Sequence, residues 1–253
     1  MSAGHAHALY VHGDSRVHAL PAHVKLVALL IVIVAVVATP RERVGVFAAH
    51  AAVIIAAAAC AHLSPRFIGG RLLIGAPFLA FALLLPFVGG GDRIVVGALS
   101  LSVGGLWGAW SVLVKGTLAL AASVVVTATT PVSALLAGLG RLRVPVVITE
   151  IAGFMVRYLE VIAGEMHRAK VAMAARGYQP RWAWQGTALA TSAGALFIRS
   201  HERGERVYDA MLSRGYQGRL PQLGATAATR ADWARALALP LCAAAAAALA
   251  VIG

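Results

Sequence analysis

The 253-residue chain is poor in charged side chains, which make up only 13% of it, and just 10 residues are acidic. Soluble domains carry about 25% charged residues, because charged groups cover much of their surface. Hydrophobic residues make up 60% of the chain, and the mean hydropathy is +0.79. This composition excludes an ordinary soluble domain and indicates a membrane protein.

Cysteine and aspartate are also scarce. The two cysteines, Cys60 and Cys242, lie in apolar runs and form no CxxC pair, which excludes a disulfide framework and a cysteine zinc site. We expect both to be small packing residues. The aspartates are scattered along the chain, whereas an integral membrane enzyme acting on phosphate-bearing lipids is expected to cluster them around Mg²⁺. That enzyme class is the less favoured alternative.

The chain also lacks a nucleotide-binding motif. The glycine run at 89–91 is not followed by Lys-Ser or Lys-Thr, so it predicts a turn and no phosphate-binding loop. We therefore expect no catalytic residues and no cofactor bound by this chain.

Long apolar runs dominate the remaining sequence. Each is long enough, or nearly so, to cross a hydrocarbon core about 30 Å thick. They predict an all-α polytopic membrane protein of about five spans, with the N-terminus inside. Residues 94–129 would form a helix of roughly 54 Å, too long for one span, so we expect either one broken helix with a re-entrant start at Gly104-Gly105 or two short spans. The apolar runs are Val24–Ala38, Val44–Ala61, Leu72–Val88, Gly108–Ala128 and Ala234–Ile252.

Charge divides the chain into segments. Residues 132–231 hold 13 basic and six acidic residues, a net charge of +7, within a total of +12. Basic loops are typical of the cytoplasmic side of membrane proteins, which explains the charge better than nucleic-acid binding does. We predict a polar tail at 1–23, transmembrane helices at 24–130, a cytoplasmic block at 131–231 and a C-terminal transmembrane helix at 232–253.

Within the basic block the pattern is helical. A short helix is predicted at Val132–Leu142 and another from about Thr187 to Arg214. Between them an apolar stripe steps by threes and fours, as on one face of an amphipathic helix that packs on its neighbours. The stripe contains Ile148, Ile151, Met155, Leu159, Ile162, Met166, Ala169 and Met173.

One sequence segment of the basic block, called a phrase below, occurs twice in similar form. Residues 167–181 read HRAKVAMAARGYQPR and residues 205–219 read ERVYDAMLSRGYQGR, with eight identities in 15. Gly177 and Gly215 predict helix ends, since glycine tolerates the left-handed conformation just past a helix. Arg176 and Arg214 would then lie at the helix tips, near the negative end of the dipole. The repeated segments are either two stable helix C-caps or two helix tips that dock on partner proteins.

The tripeptides Ala175-Arg176-Gly177 and Ser213-Arg214-Gly215 resemble the paired Ala-Arg-Gly signatures of the T components of energy-coupling factor (ECF) transporters. Three further segments resemble the cobalt-type branch, the CbiQ family. These are GHAHALYVHGDSRVHALPAHVKLVALL near the start, Thr130-Pro131, and GLGRLRVP at 138–145.

The resemblance implies an L-shaped, non-catalytic membrane scaffold in the bacterial plasma membrane. It implies that the six signature residues, Ala175, Arg176, Gly177, Ser213, Arg214 and Gly215, dock into two ABC-type ATPase subunits, which use the ATP. The implied membrane partners are a CbiM-like substrate-binding subunit and a small accessory subunit. Cobalt is the implied substrate, with nickel or a vitamin as alternatives.

Two other features leave alternatives open. Five histidines crowd the tail, yet their spacing matches no standard ligand set; a flexible polar tail is the default and a metal site the alternative. Lys115 lies in an apolar run, where a charge is costly, so it is functional, snorkels to the interface, or faces the broken start of its helix. The histidines are His5, His7, His12, His18 and His23.

Overall fold

The computed structural model describes residues 10–88, 90, 93–96, 99–178, 186–218 and 228–252. Over these residues the regular secondary structure is helical apart from one short β-hairpin, which confirms the predicted all-α class. It forms two compact units. The membrane unit contains Leu9–Gly138 and Thr226–Gly253, and it includes the β-hairpin. The second unit, Leu139–Ala225, is called the hairpin unit after its pair of antiparallel helices.

The helices follow the predicted apolar runs closely. In the membrane unit they are α1 (Ala22–Ala38), α2 (Val44–Cys60), α3 (Pro65–Leu72), a 3₁₀ turn (Leu73–Gly75), α4 (Ala76–Val88), α5 (Val103–Thr129) and α9 (Arg230–Ile252). Helix α6 (Val132–Arg141) leads into the hairpin unit, which contains α7 (Val146–Ala175) and α8 (Thr187–Leu212).

Several of these helices can cross a membrane. Helices α5 and α9 are long and apolar enough by themselves, and α3 with α4 qualify together as one span bent by 55°. Helices α1 and α2 have 17 residues each, at the lower limit of about 17–25 residues for a span. The chain is therefore polytopic, while the total of five spans stays a prediction.

The region before α5 resolves the two alternatives for residues 94–129. Strands β1 (Arg93–Val96) and β2 (Leu99–Ser102) pair antiparallel, and α5 then runs unbroken for 27 residues. The Ser102 hydroxyl caps this helix by accepting a hydrogen bond from Gly105 N–H at 3.1 Å. Both predicted alternatives are wrong. The segment does not form two short spans, and α5 is not broken, because Gly104 and Gly105 lie in its first turn. The described residues before Val103 form the β-hairpin.

Helices α4 and α5 approach closely at Gly105. A Cβ atom there would lie 2.3 Å from the Leu85 carbonyl oxygen and 2.8 Å from Pro86 Cα. Both neighbours are backbone atoms, so no side chain can move aside to make room. Glycine is required at this crossing, as at many close helix contacts in membranes.

Two lysines link α1 and α5, which lie antiparallel. The Lys25 ammonium, near the start of α1, donates to Thr129 O and Thr130 Oγ1 at the end of α5, both at 3.0 Å. Lys115 of α5 donates to Val37 O at the end of α1, at 2.8 Å. Each helix thus supplies a cation to the carbonyl end of the other, where the dipole is negative. Lys115 has a structural partner, which none of the three alternatives anticipated.

Alanines and β-branched residues form most of the core between α1, α2 and α5. Val32, Val36, Ile54 and Ala122 form one buried cluster, and a second around Ala58, Ala61, Val125 and Ala128 lies toward the other end of the helices. Inside a membrane the hydrophobic effect does not drive helices together, and small side chains such as alanine let their backbones approach closely.

Two predictions about this unit are corrected. Cys60 and Cys242 are exposed, so they are not buried packing residues. The described part of the tail does not extend freely, because Val11 N–H donates to Ala128 O at 2.9 Å. Ser15 in the same segment is 7% exposed.

We predict that Lys25→Met destabilises the membrane unit more than Lys25→Arg does. Methionine keeps the apolar stem but leaves buried oxygens of Thr129 and Thr130 without a donor, at a cost of about 1–3 kcal/mol. Thermal unfolding in detergent, followed by helix content, measures the difference. Equal midpoints for Lys25→Met and the unmodified protein would show that the ammonium does not support the helix end.

Candidate functional site: the helix tips of the hairpin unit

Helices α7 and α8 run antiparallel. The side-chain contacts between them show this direction, because the α7 residue number falls as the α8 number rises. Ser192 Oγ lies 3.6 Å from Met173 Sδ, Arg203 donates to Glu165, and the Tyr216 hydroxyl, just after α8, donates to Glu150. The end of each helix therefore lies beside the start of the other.

Glu165 forms the central contact of this helix pair. Its side chain is 14% exposed and pairs with Arg203, while Arg199 Nε lies 4.0 Å from its second oxygen. The hydrogen bond from Arg203, with the nearby guanidinium charges, holds the pKa of the Glu165 carboxyl below its usual range. Two arginines from α8 thus fix the register of the pair through one carboxylate.

The first repeated phrase ends α7 in a Schellman motif. Gly177 has a φ of +81°, and its N–H bonds to Ala174 O while Tyr178 N–H reaches back to Met173 O, both at 3.0 Å. This pair of bonds satisfies carbonyls that the helix end leaves open. Arg176 occupies the C-cap position, between Ala175 at the end of α7 and Gly177.

The second phrase ends α8 in the same way. Gly215 has a φ of +82°, and its N–H bonds to Leu212 O at 2.9 Å while Tyr216 N–H bonds to Met211 O at 3.0 Å. The predicted helix ends are confirmed. The repeated methionine and tyrosine occupy the two positions that the longer backbone bond of the motif joins, where a hydrophobic contact frequently accompanies the motif.

The cap geometry does not account for the arginines. Arg176 and Arg214 are both exposed, and within the described residues neither forms an ion pair. Capping here uses backbone bonds and a glycine, so it needs no guanidinium. The repeated Gln179 and Arg181, and also Arg219, lie outside the described residues.

The antiparallel arrangement places the two arginines at opposite ends of the hairpin unit. Arg214 lies beside Glu150 through its neighbour Tyr216, and Arg176 follows Glu150 by 26 positions. At 1.5 Å per residue the two tips are roughly 40 Å apart. Each tip can therefore contact a different protein surface, and the two cannot share one small ligand.

A guanidinium at such a tip can bind a carboxylate through two parallel hydrogen bonds. The arrangement suits docking to an acidic surface.

The apolar stripe of α7 differs from its predicted packing. Its first half is solvent-exposed, with Ile148, Ile151, Met155 and Leu159 between 53% and 68% exposed. Its second half, from Ile162 to Met173, is partly covered. Periodicity gives the face on which apolar residues lie but not whether this chain covers it. The exposed half is a candidate partner surface that the sequence did not identify.

The described residues contain no group of three metal-ligating side chains. His18 is held by Ser15 Oγ at 2.7 Å and Val11 O at 3.0 Å, and His23 packs edge-on against Trp233. His5 and His7 lie outside the described residues, and a metal site involving them stays a hypothesis.

We predict that Glu165→Gln destabilises the hairpin unit at neutral pH and that this difference disappears in acid. The folded-state pKa of Glu165 is lowered from an ordinary value of 4.5. Its ionised form therefore stabilises the fold above that value, and the contribution is lost as pH falls through the folded pKa. Thermal unfolding of both proteins from pH 7 down to pH 3 tests this. A constant difference across the range would contradict it.

The chain was compared with known proteins. The family described as CbiQ, cobalt transport protein, matches residues 13–223. A fused cobalt transport protein, CbiMQ, of Methanocorpusculum labreanum is 30% identical over 205 residues. That match covers 78% of this chain and 34% of the relative, so the chain corresponds to about a third of the fused protein.

Proposed function

This chain belongs to the CbiQ family of cobalt transport proteins, and on that premise we propose that it is the T component of an ECF-type cobalt importer. In this role it is a non-catalytic membrane scaffold. It transmits movements of two ABC-type ATPase subunits, which bind and hydrolyse the ATP, to a membrane subunit that binds the metal. The chain itself holds neither a cofactor nor the metal.

The observation that carries the proposal is the position of the twin tips. Two near-identical sequences end two antiparallel helices, so they lie at opposite ends of one unit. Two copies of an ATPase present two copies of the same docking groove. A pair of tips that share Arg-Gly-Tyr and are separated by roughly 40 Å suits two such grooves better than it suits one.

Charge supports arginine as the docking residue. Both tips are exposed cations without an ion pair among the described residues, so binding breaks no existing bridge. A groove lined with carboxylates would desolvate the guanidinium and accept its two parallel hydrogen bonds. Lysine offers only a point charge, so it would not replace arginine at equal strength.

The membrane partner is proposed from the relative. Its printed name joins a CbiM part to a CbiQ part in one chain, so we propose that a separate CbiM-like subunit binds this chain. The exposed half of the α7 stripe offers an apolar surface for such a contact. A small accessory membrane subunit completes the proposed assembly in the plasma membrane.

We predict that Arg176→Glu and Arg214→Glu each weaken ATPase association by about a hundredfold. Reversing one member of a desolvated charge pair costs about 2–5 kcal/mol or more, whereas an arginine that serves only its own helix end contributes about 0.3–1 kcal/mol. Co-purification in mild detergent and cobalt uptake measure the effect. The double variant should lose the complex.

Arg157→Glu is the matched control, because Arg157 is an exposed arginine in the middle of α7. It makes the same charge change away from both tips and should assemble normally. Arg176→Gln, which removes the charge but keeps a shorter polar side chain, should give an intermediate loss. Normal assembly and uptake by both single reversals would show that the repeat is only a duplicated helix ending.

We also predict that the hairpin unit faces the cytoplasm. In a background with Cys60→Ser and Cys242→Ser, a cysteine replacing the exposed Glu202 of α8 should resist a membrane-impermeant thiol reagent in intact cells. It should react once the cells are opened. The background changes matter because both native cysteines are exposed. Labelling of intact cells would overturn the topology and the docking proposal with it.

A further inference from the structure

A cavity of about 700 Å³ lies in the membrane unit between α1, α2, α5 and α9. This volume is within the range of small-molecule sites, about 300–1,000 Å³. The proposed coupling function makes no use of it, because that function depends on the tips of the hairpin unit.

The cavity is polar at one end and apolar beyond it. Its polar end lies where the four helices begin or finish, at Lys25, Cys60, Thr129 and Asp232. Lining residues extend seven or eight positions into each helix, for example to Val32 of α1. At 1.5 Å per residue this is a depth of about 10 Å. The deeper walls are aliphatic, so they suit a hydrocarbon chain.

The mouth carries an excess of positive charge. Arg16, Lys25 and Arg235 line it, against the single carboxylate of Asp232. That carboxylate already accepts hydrogen bonds from Thr229 N–H at 2.9 Å and Thr229 Oγ1 at 2.7 Å. These bonds form a capping box at the start of α9, so Asp232 has a structural role of its own.

Lys25 adds a buried charge with no counter-ion. The residue is only 4% exposed, and its ammonium donates to three uncharged oxygens, those of His18, Thr129 and Thr130. Within the described part of the chain it pairs with no carboxylate. A buried cation without an anion is costly, and an anionic group at the cavity mouth would lower that cost.

We infer that this cavity binds an anionic phospholipid. Its phosphate lies at the mouth, where the Arg16 and Arg235 guanidiniums are exposed and can each form paired hydrogen bonds to phosphate oxygens. One acyl chain enters the aliphatic part between the helices. With the N-terminus inside, as the sequence predicts, the mouth at the start of α1 opens toward the cytoplasmic leaflet, which is rich in anionic lipid.

The test uses the purified full-length chain in mild detergent with lipid added in mixed micelles. Phosphatidylglycerol and phosphatidylcholine with the same acyl chains are compared by thermal unfolding and native mass spectrometry. Phosphatidylglycerol should raise the unfolding midpoint in a saturable manner and remain bound as a 1:1 adduct. Phosphatidylcholine should do neither.

The charge variant is Arg16→Gln with Arg235→Gln, which should weaken phosphatidylglycerol binding at least tenfold. Arg66→Gln is the matched control, because Arg66 is an exposed arginine of the same unit that does not line the cavity. It should change binding less than twofold. Ala28→Phe, which places a ring in the cavity, should reduce the affinity for the intact lipid.

Glycerol phosphate, which lacks acyl chains, distinguishes binding of the lipid from binding of an anionic group alone. If it stabilises the chain as strongly as phosphatidylglycerol does, the site is a free-anion site and the lipid assignment is wrong. Equal binding of the two lipids, or wild-type binding by the Arg16 and Arg235 double variant, would also overturn the inference. The readouts involve neither the ATPase nor cobalt, so failure of the proposed transport function leaves this test intact.

Discussion

The hydrogen bonding of helix ends is the constraint on which this structure depends. A chain with so few polar side chains has little to offer the backbone groups that each helix leaves unpaired at its termini. Lys25 and Lys115 serve the carbonyl ends of α5 and α1, and Thr229 with Asp232 serves the start of α9. Two lysines and one aspartate of the membrane unit are thus used at helix ends.

The hairpin unit meets the same constraint mainly with backbone bonds, which the Ser213 hydroxyl supplements at the end of α8. Glycine at the left-handed position lets the chain turn back and bond its own last carbonyls, so the neighbouring arginines remain unused. The antiparallel pairing through Glu165 then directs the two ends away from each other. The glycine-dependent helix ends and one ion-paired contact together produce two similar cationic tips that lie far apart.

Sequence periodicity and the repeat predicted much of this. Long apolar runs gave the helices of the membrane unit, because length and hydropathy are properties of the local sequence. Gly177 and Gly215 predicted the helix ends, because the left-handed backbone conformation strongly favours glycine. Membership of the CbiQ family was identified from the same phrases, and the family match confirms it.

The remaining features depend on residues far apart in the chain. The partner of Lys115 is a carbonyl 78 positions away, and no local pattern indicates it. The β-hairpin before α5 was missed because its residues are as apolar as those of a span. The cavity requires four helices to be placed at once. Exposure of the α7 stripe likewise depends on what the rest of the chain leaves uncovered.

The separation of the tips also has a mechanical consequence. If a partner binds each tip of the helix pair, a shift of one partner relative to the other rotates the pair. For tips roughly 40 Å apart, moving one by a helical turn of about 5.4 Å while the other stays fixed turns the pair by roughly 8°. The ion pair at Glu165 ties α7 to α8 between the ends, so both helices would turn together. A modest displacement at one end would thereby sweep the exposed apolar face of α7 across whatever lies against it.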